Sequence, residues 1–115
     1  MQKVVLFAFR DGPMCVIHVL LTALDMKDRG FEVGIVLEGA ATRLVTILDA
    51  AQHPMHALYM KARGQGLFHG ACRACSLKMG VLDQVQAAGL PLLAGMSGHP
   101  GMAGYMERGF SVLTF

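Results

Sequence analysis

Two predominantly apolar runs constrain the fold of this chain more than any other feature of its sequence. Residues 4–9 are six consecutive apolar residues, and residues 31–37 carry one charged residue among seven. Both runs have the length of a strand, and neither alternates between apolar and polar residues. Continuous runs of this kind are typical of strands that are buried on both faces of a parallel sheet. We therefore expect a parallel sheet with helices on both sides.

A repeated junction between helix and strand supports this expectation. Residues 28–33 and residues 107–112 both run from a charged residue and an arginine through a glycine into an apolar strand. Glycine is the preferred residue just after a helix, and βαβ units repeat such junctions. A length of 115 residues corresponds to one domain, residues 1–115. The sequence predicts a three-layer α/β/α fold with a mostly parallel sheet of about five strands.

The pattern also places the individual elements. The predicted strands cover residues 4–9, 31–37, 67–71, 90–94 and 110–115. The predicted helices cover residues 13–29, 41–50, 54–63 and 100–108, and a turn from residue 72 leads into a further helix that ends near residue 88. We expect the first, second and last strands to be central. Pro91 places the fourth strand near an edge or at a strand start, because proline cannot donate to the sheet.

Composition limits the class of protein. Apolar residues make up 54% of the chain and charged residues 16%, which excludes disorder and predicts a homo-oligomer. The net charge of +2 and the scattered Lys and Arg residues argue against nucleic acid and membranes as partners. A spanning helix needs about 20 apolar residues, and the N-terminal apolar run has the length of a strand rather than of a signal peptide. We expect a cytoplasmic protein with reduced cysteines.

The strongest chemical signal is the pair Cys72 and Cys75, which follows the third predicted strand. Ligands of parallel α/β folds bind at the carboxyl ends of the strands. The first turn of a helix and the neighbouring Arg73 both favour a thiolate, which is the reactive form of cysteine. The sequence predicts Cys72, Cys75 and Arg73 as catalytic residues for sulfur transfer or dithiol redox chemistry. Two buried structural cysteines are the alternative.

The segment Cys72-x-x-Cys75-x-x-x-x-Gly80-Val81 resembles the DsrE/DsrF-like family, which includes the TusD and YchN-type proteins. The family places a cysteine eight residues before a glycine after its third strand, and Cys72 has that spacing. The resemblance covers essentially the whole chain. It implies that Cys72 accepts a persulfide from a sulfur donor protein and that Cys75 is the second thiol. It also implies a trimer or hexamer.

Other polar residues follow the remaining predicted strands and are candidates for ligand binding. These residues are Asp11, Met14, Cys15, Glu38, Ser97 and His99. Asp11 and Glu38 could serve as acid–base groups, although a turn and cap residue is the simpler role for Asp11. Cys15 could resolve a disulfide or lie in the core. His99 lies in a glycine-rich loop that forms either a tight turn or a lid over the cysteines.

We expect no resident metal or other cofactor. Zinc is the alternative, because Cys15, Cys72, Cys75 and His99 would make a Cys₃His ligand set. This set forms only if the strand order brings their loops together, and the sequence does not give that order. The leading hypothesis is a sulfur carrier or thiol-redox protein. The second is a binding module for a small ligand or metal, and the third is an oligomeric scaffold without chemistry.

Overall fold

The computed structural model describes residues 1–115 as five strands and six α-helices that alternate along the chain. The strands are β1 (Lys3–Ala8), β2 (Glu32–Leu37), β3 (Phe68–Cys72), β4 (Leu92–Leu93) and β5 (Ser111–Thr114). The helices are α1 (Pro13–Asp28), α2 (Leu44–Asp49), α3 (His56–Gly64), α4 (Arg73–Lys78), α5 (Leu82–Ala87) and α6 (Met102–Glu107). A 3₁₀ helix, Gly39–Arg43, precedes α2. This alternation is the βαβ pattern that the sequence predicted.

All strands pair in parallel, in the order β4-β3-β2-β1-β5. The apolar runs explain the centre of this sheet, because Val5, Leu6 and Phe7 of β1 are completely buried. The chain first adds β2, β3 and β4 on one side of β1 and then returns to place β5 on the other side. The α/β fold with a parallel five-stranded sheet is confirmed.

Helices cover the two faces of the sheet unequally. Leu6 and Ile35 point into a large apolar cluster that is shared with α1, α2, α3 and α5. Phe7 and Val36 point to the opposite face, where they pack against Tyr105 of α6. Three layers result, and the last crossover, which contains α6, is the one that runs on the second face. This change of face decides where a ligand site can form.

The structure corrects two of the expectations. Residues 110–115 were expected to form a central strand, but β5 lies at an edge of the sheet and exposes Ser111, Leu113 and Thr114. Its apolar sequence resembles that of a buried strand, and only the strand order reveals its position. The helix expected to end near residue 88 is two short helices, because the chain turns at Gly80 with a φ of +74°. The other predicted edge is right, since β4 follows Pro91 and lies at the opposite edge.

A missing side chain in β2 makes room for a histidine of β3. A Cβ atom at Gly34 would lie 2.2 Å from Cε1 of His69. The His69 ring is held in place, because it stacks on Tyr105 and its Nδ1 lies 3.0 Å from the Tyr105 hydroxyl. Glycine at position 34 therefore allows α6 to be tied to the sheet through His69.

We expect Gly34→Ala to lower the free energy of unfolding by about 1–3 kcal/mol, the usual cost of overpacking a core. The cost should shrink in a His69→Ala background, where the clashing ring is absent. Gly64→Ala is the control, because a Cβ there meets nothing within 4 Å. Urea denaturation of the four variants measures these energies. Equal costs of Gly34→Ala in both backgrounds would contradict this explanation.

Candidate functional site

Four side chains from three connections meet at the carboxyl edge of β2, β3 and β4. Glu38 follows β2 directly, Cys72 ends β3, Cys75 lies in the first turn of α4, and His99 lies between β4 and α6. One ligand atom from each of the four lies within 4.8 Å of the others. We name these four residues the Cys–His–Glu cluster.

The topology explains why they meet at this edge. The connection that leaves β3 runs on the face covered by α5, and the connection that leaves the neighbouring β4 runs on the face covered by α6. Neighbouring strands whose connections leave to opposite faces open a crevice, which is the usual ligand site of parallel α/β folds. The Cys–His–Glu cluster lies at this crevice.

Cys72 is fixed by several hydrogen bonds at the start of α4. Its sulfur accepts a hydrogen bond from the backbone N–H of Cys75, with 3.3 Å between the two atoms. Its carbonyl accepts a 2.7 Å hydrogen bond from the buried Ser76 hydroxyl. The Cys72 side chain is completely buried, whereas Cys75 is only partly buried. The two thiols therefore share one helix turn but differ in access to solvent.

A tight turn places His99 beside the two thiols. Met96 and His99 exchange two backbone hydrogen bonds, and the two residues between them have positive φ, 51° at Ser97 and 91° at Gly98. Positive φ at both central positions defines a type I′ turn. The Gly98 carbonyl accepts a hydrogen bond from the Ala74 N–H of α4, at 2.9 Å. The turn is thus attached directly to the helix that follows Cys72.

The resulting contacts between His99 and the thiols are close. Nδ1 of His99 lies 3.1 Å from the sulfur of Cys72 and 3.8 Å from the sulfur of Cys75. A protonated Cys72 thiol donates a hydrogen bond to this nitrogen. His99 is therefore placed to accept a proton from Cys72 or to share a ligand with both sulfurs.

Glu38 is a largely buried acid that forms no ion pair with an arginine or a lysine. Only 7% of the residue is exposed. It takes part in neither ion pair of the protein, and none of the side-chain hydrogen bonds involves its carboxylate. Burial raises the pKa of Glu38, and the charge of a protonated His99 lowers it by a smaller amount. Partial loss of solvent therefore disfavours the charged form of Glu38, and a cation bound beside it would favour that form.

The expected activation of Cys72 is not found. Burial, the side chain of Cys75 and the charge of Glu38 together raise the pKa of the Cys72 thiol to about 12, and only the Cys75 N–H lowers it. Arg73 is exposed and is not among the groups that shift this pKa. The Cys75 N–H at the start of α4 lowers this pKa, as expected of a helix start, but Arg73 does not contribute and burial raises the pKa by more. Desolvation outweighs the helix effect.

Several other predicted ligand residues lie apart from the cluster. Asp11 pairs with Arg43, and Met14 and Ser97 are exposed. Cys15 is a partly buried free cysteine in α1 and is not part of the cluster. The alternative Cys₃His set does not form, because Cys15 is not among the four clustered residues and Glu38 lies there instead. The signal for Glu38 was its position directly after a buried strand, but only the pairing of β2 with β3 brings it to Cys72.

The helices give no sign of a membrane-spanning segment. None of them combines the length and the apolar character that crossing a bilayer requires. The longest, α1, has 16 residues.

Comparison with known proteins found a solved structure with a similar fold and two archaeal relatives that match in sequence. No profile of a known protein family matches the chain. The chain is similar to the solved structure of BT1422, a conserved protein of unknown function from Bacteroides thetaiotaomicron. The TM-score is 0.73 and the identity 21%, over 99% of this chain and 95% of that one. This likeness shows that the fold is shared.

The archaeal relatives match in sequence. The uncharacterized protein MJ0733 of Methanocaldococcus jannaschii is 28% identical over 96 residues, which cover 84% of this chain and 76% of the relative. An uncharacterized protein of Archaeoglobus fulgidus is 37% identical over 41 residues, which cover 36% of this chain and 67% of the relative. The chain belongs to the same family as this Archaeoglobus fulgidus protein.

Proposed function

We propose that the protein binds a transition-metal ion of the zinc class through Glu38, Cys72, Cys75 and His99. The observation that carries this proposal is the meeting of the Glu38 carboxyl group, two thiols and an imidazole within 4.8 Å of one another, where the Glu38 residue is largely buried and makes no ion pair. A buried acid in such company is costly unless it is neutralised. A bound cation would neutralise it.

The donor atoms fit zinc in kind and in number. Zinc takes four ligands in a tetrahedron, at about 2.3 Å for sulfur and about 2.0–2.2 Å for nitrogen and oxygen. The four donors lie within 4.8 Å of one another, and His99 Nδ1 lies 3.1 and 3.8 Å from the two sulfurs. Two thiolates also disfavour magnesium and calcium, which prefer oxygen ligands. Small side-chain movements would suffice to hold such an ion.

The cluster is partly exposed, as a site that takes up an ion from solution requires. Glu38 and Cys72 are buried, whereas Cys75 and His99 are partly exposed. An ion can therefore enter from the side of Cys75 and His99. Bound zinc would supply Lewis acidity, but four protein ligands usually leave no position for a substrate. A carrier or structural role for the ion follows from this ligand count.

Sulfur transfer is the second candidate, supported by the close pair of thiols and by the resemblance to the DsrE/DsrF-like family. In this hypothesis a thiolate attacks the outer sulfur of a donor persulfide, forms a cysteine persulfide, and releases the donor thiol. The burial of Cys72 and the partial exposure of Cys75 suggest that Cys75 meets the donor protein first. His99 would accept the proton of Cys72. Arg73, exposed on α4, would face the donor rather than activate the thiol.

The metal site predicts which residues control affinity. We expect the purified protein to bind one Zn²⁺ per chain, and Glu38→Gln and His99→Ala to weaken binding at least about 10-fold, the scale of lost ligand support. Cys15→Ser is the matched control, because Cys15 lies outside the cluster, and should keep the affinity. Competition with a chromogenic chelator measures all four proteins. Unchanged affinity in Glu38→Gln, or an equal loss in Cys15→Ser, would overturn the proposed ligand set.

Zinc affinity should also rise with pH. The raised pKa of Cys72 means that its thiol carries a proton at neutral pH, and a metal must displace this proton. Titrations between about pH 6 and 8 should therefore show tighter binding at each higher pH, with proton release visible in buffers of different ionisation enthalpy. Binding that is independent of pH would show that Cys72 is not a ligand.

Thiol labelling separates the two candidate functions. We expect iodoacetamide to modify Cys75 before Cys72 in the metal-free protein near neutral pH, because Cys72 is buried and its pKa is raised to about 12. Peptide mass spectrometry at several pH values measures both rates. Faster labelling of Cys72, together with persulfide loading that Cys72→Ala abolishes in intact mass, would favour the sulfur carrier over the metal site.

A further inference from the structure

We propose that a second copy of this chain pairs with β5, antiparallel and about a two-fold axis, so that the two sheets join into one. This inference is independent of the proposed metal site. It rests on the backbone of β5, on the lack of protection along this edge, and on the fit of the strand to itself.

The backbone of β5 presents unused hydrogen-bonding groups. Phe115 donates its N–H to Phe7 and accepts from the N–H of Phe9, so its backbone groups face β1. Successive residues of a strand direct these groups to opposite sides, so Leu113 also faces β1. The N–H and C=O groups of Val112 and Thr114 therefore point away from the sheet. They form a ready template for another strand.

The two edges of the sheet differ in how they are protected. The edge strand β4 has only two residues and follows Pro91. The edge strand β5 has four residues, and residues 109–115 contain neither a charged residue nor a proline. Short strands, prolines and charges are the usual means by which proteins prevent pairing at an edge. Apart from its modest length, β5 has none of them.

The strand fits a second copy of itself in one register. If Leu113 lies opposite Leu113 of the partner subunit, then Val112 lies opposite Thr114 of the partner subunit. Each such pair of outward residues can exchange two hydrogen bonds, as an antiparallel ladder requires. The central leucines then form the narrow type of pair, with Cα atoms about 4.5 Å apart.

The side chain at the centre of this register supports the pairing. Leu113 is 41% exposed in the single chain although it is a large apolar residue. It lies on the α1 side of the sheet, because its neighbour in β1 is Leu6, which points into that core. A second Leu113 beside it would cover apolar surface that is otherwise in water. None of the residues Ser111–Thr114 is charged, so a second copy of the strand would meet no like charge across the pair.

The expected symmetry of the assembly follows. Edge pairing is isologous, so it produces dimers or assemblies that contain dimers. It is compatible with a hexamer that combines two-fold and three-fold axes, and it is incompatible with a simple trimer.

Light scattering of the full chain at micromolar concentration tests the interface. We expect an even multiple of 12.3 kDa for the wild-type protein. Thr114→Pro removes one outward N–H and should halve the mass, whereas the matched control Thr114→Val keeps this N–H and should keep the mass. Circular dichroism confirms that each variant is folded. A wild-type monomer or trimer, or an unchanged mass of Thr114→Pro, would overturn the proposal.

Cross-linking tests the register. Leu113→Cys should form a covalent dimer under mild oxidation, because a separation of about 4.5 Å lies within the range of disulfides. Ser111→Cys should not, because two such residues would lie roughly 13 Å apart along the paired strands. The wild-type protein controls for its own three cysteines. Equal cross-linking of both variants, or of the wild type, would overturn the register. A foreign strand on β5 would leave Leu113→Cys uncross-linked.

Discussion

The candidate site depends on the pairing of a strand of two residues with the end of β3. In this parallel pair Leu92 lies opposite Ala71 and Leu93 opposite Cys72. The register fixes the start of the loop that follows β4, and the hydrogen bond from Ala74 to the Gly98 carbonyl fixes its end. His99 can contact the thiols only because both attachments hold. Leu92 also packs against the large apolar cluster and Leu93 against the cluster around Tyr105, so the geometry of the site is linked to the packing at this edge.

Much of the fold could be predicted from local patterns. Residues 4–8 and 33–37 contain no charged residue because both faces of these strands are covered, and this made β1 and β2 recognisable. Residues 110–115 include the polar Ser111 and Thr114, which are exposed at the edge, but enough apolar residues to suggest a buried strand. Pro91 was informative because the missing N–H is a physical constraint rather than a tendency. A missing hydrogen-bond donor acts in every fold, whereas an average propensity is often overridden by tertiary contacts.

The site was predictable in its members but not in their arrangement. Cys72, Cys75, Glu38 and His99 each follow a strand, and the rule for parallel sheets placed them at one edge. The choice between Cys15 and Glu38 as the fourth group depended on strand order, because β2, rather than β1, lies beside β3. The pKa of Cys72 depended on burial, which no local pattern determines. A helix start and an arginine in sequence suggested a thiolate, whereas the burial of Cys72, with Cys75 and Glu38 beside it, raises the pKa of the thiol.

The interactions that raise the pKa of the Cys72 thiol are also the ones that the proposed metal ion would offset. Glu38 and Cys75 raise the pKa of this thiol partly because a thiolate would lie beside other negative or electron-rich groups. A divalent cation at the centre of these groups converts each repulsion into an attraction, and it also offsets the burial of Glu38. An attacking persulfide brings no positive charge and would leave both costs in place. The electrostatics of the cluster therefore favour a cation over a sulfur donor as the species whose binding displaces the proton of Cys72.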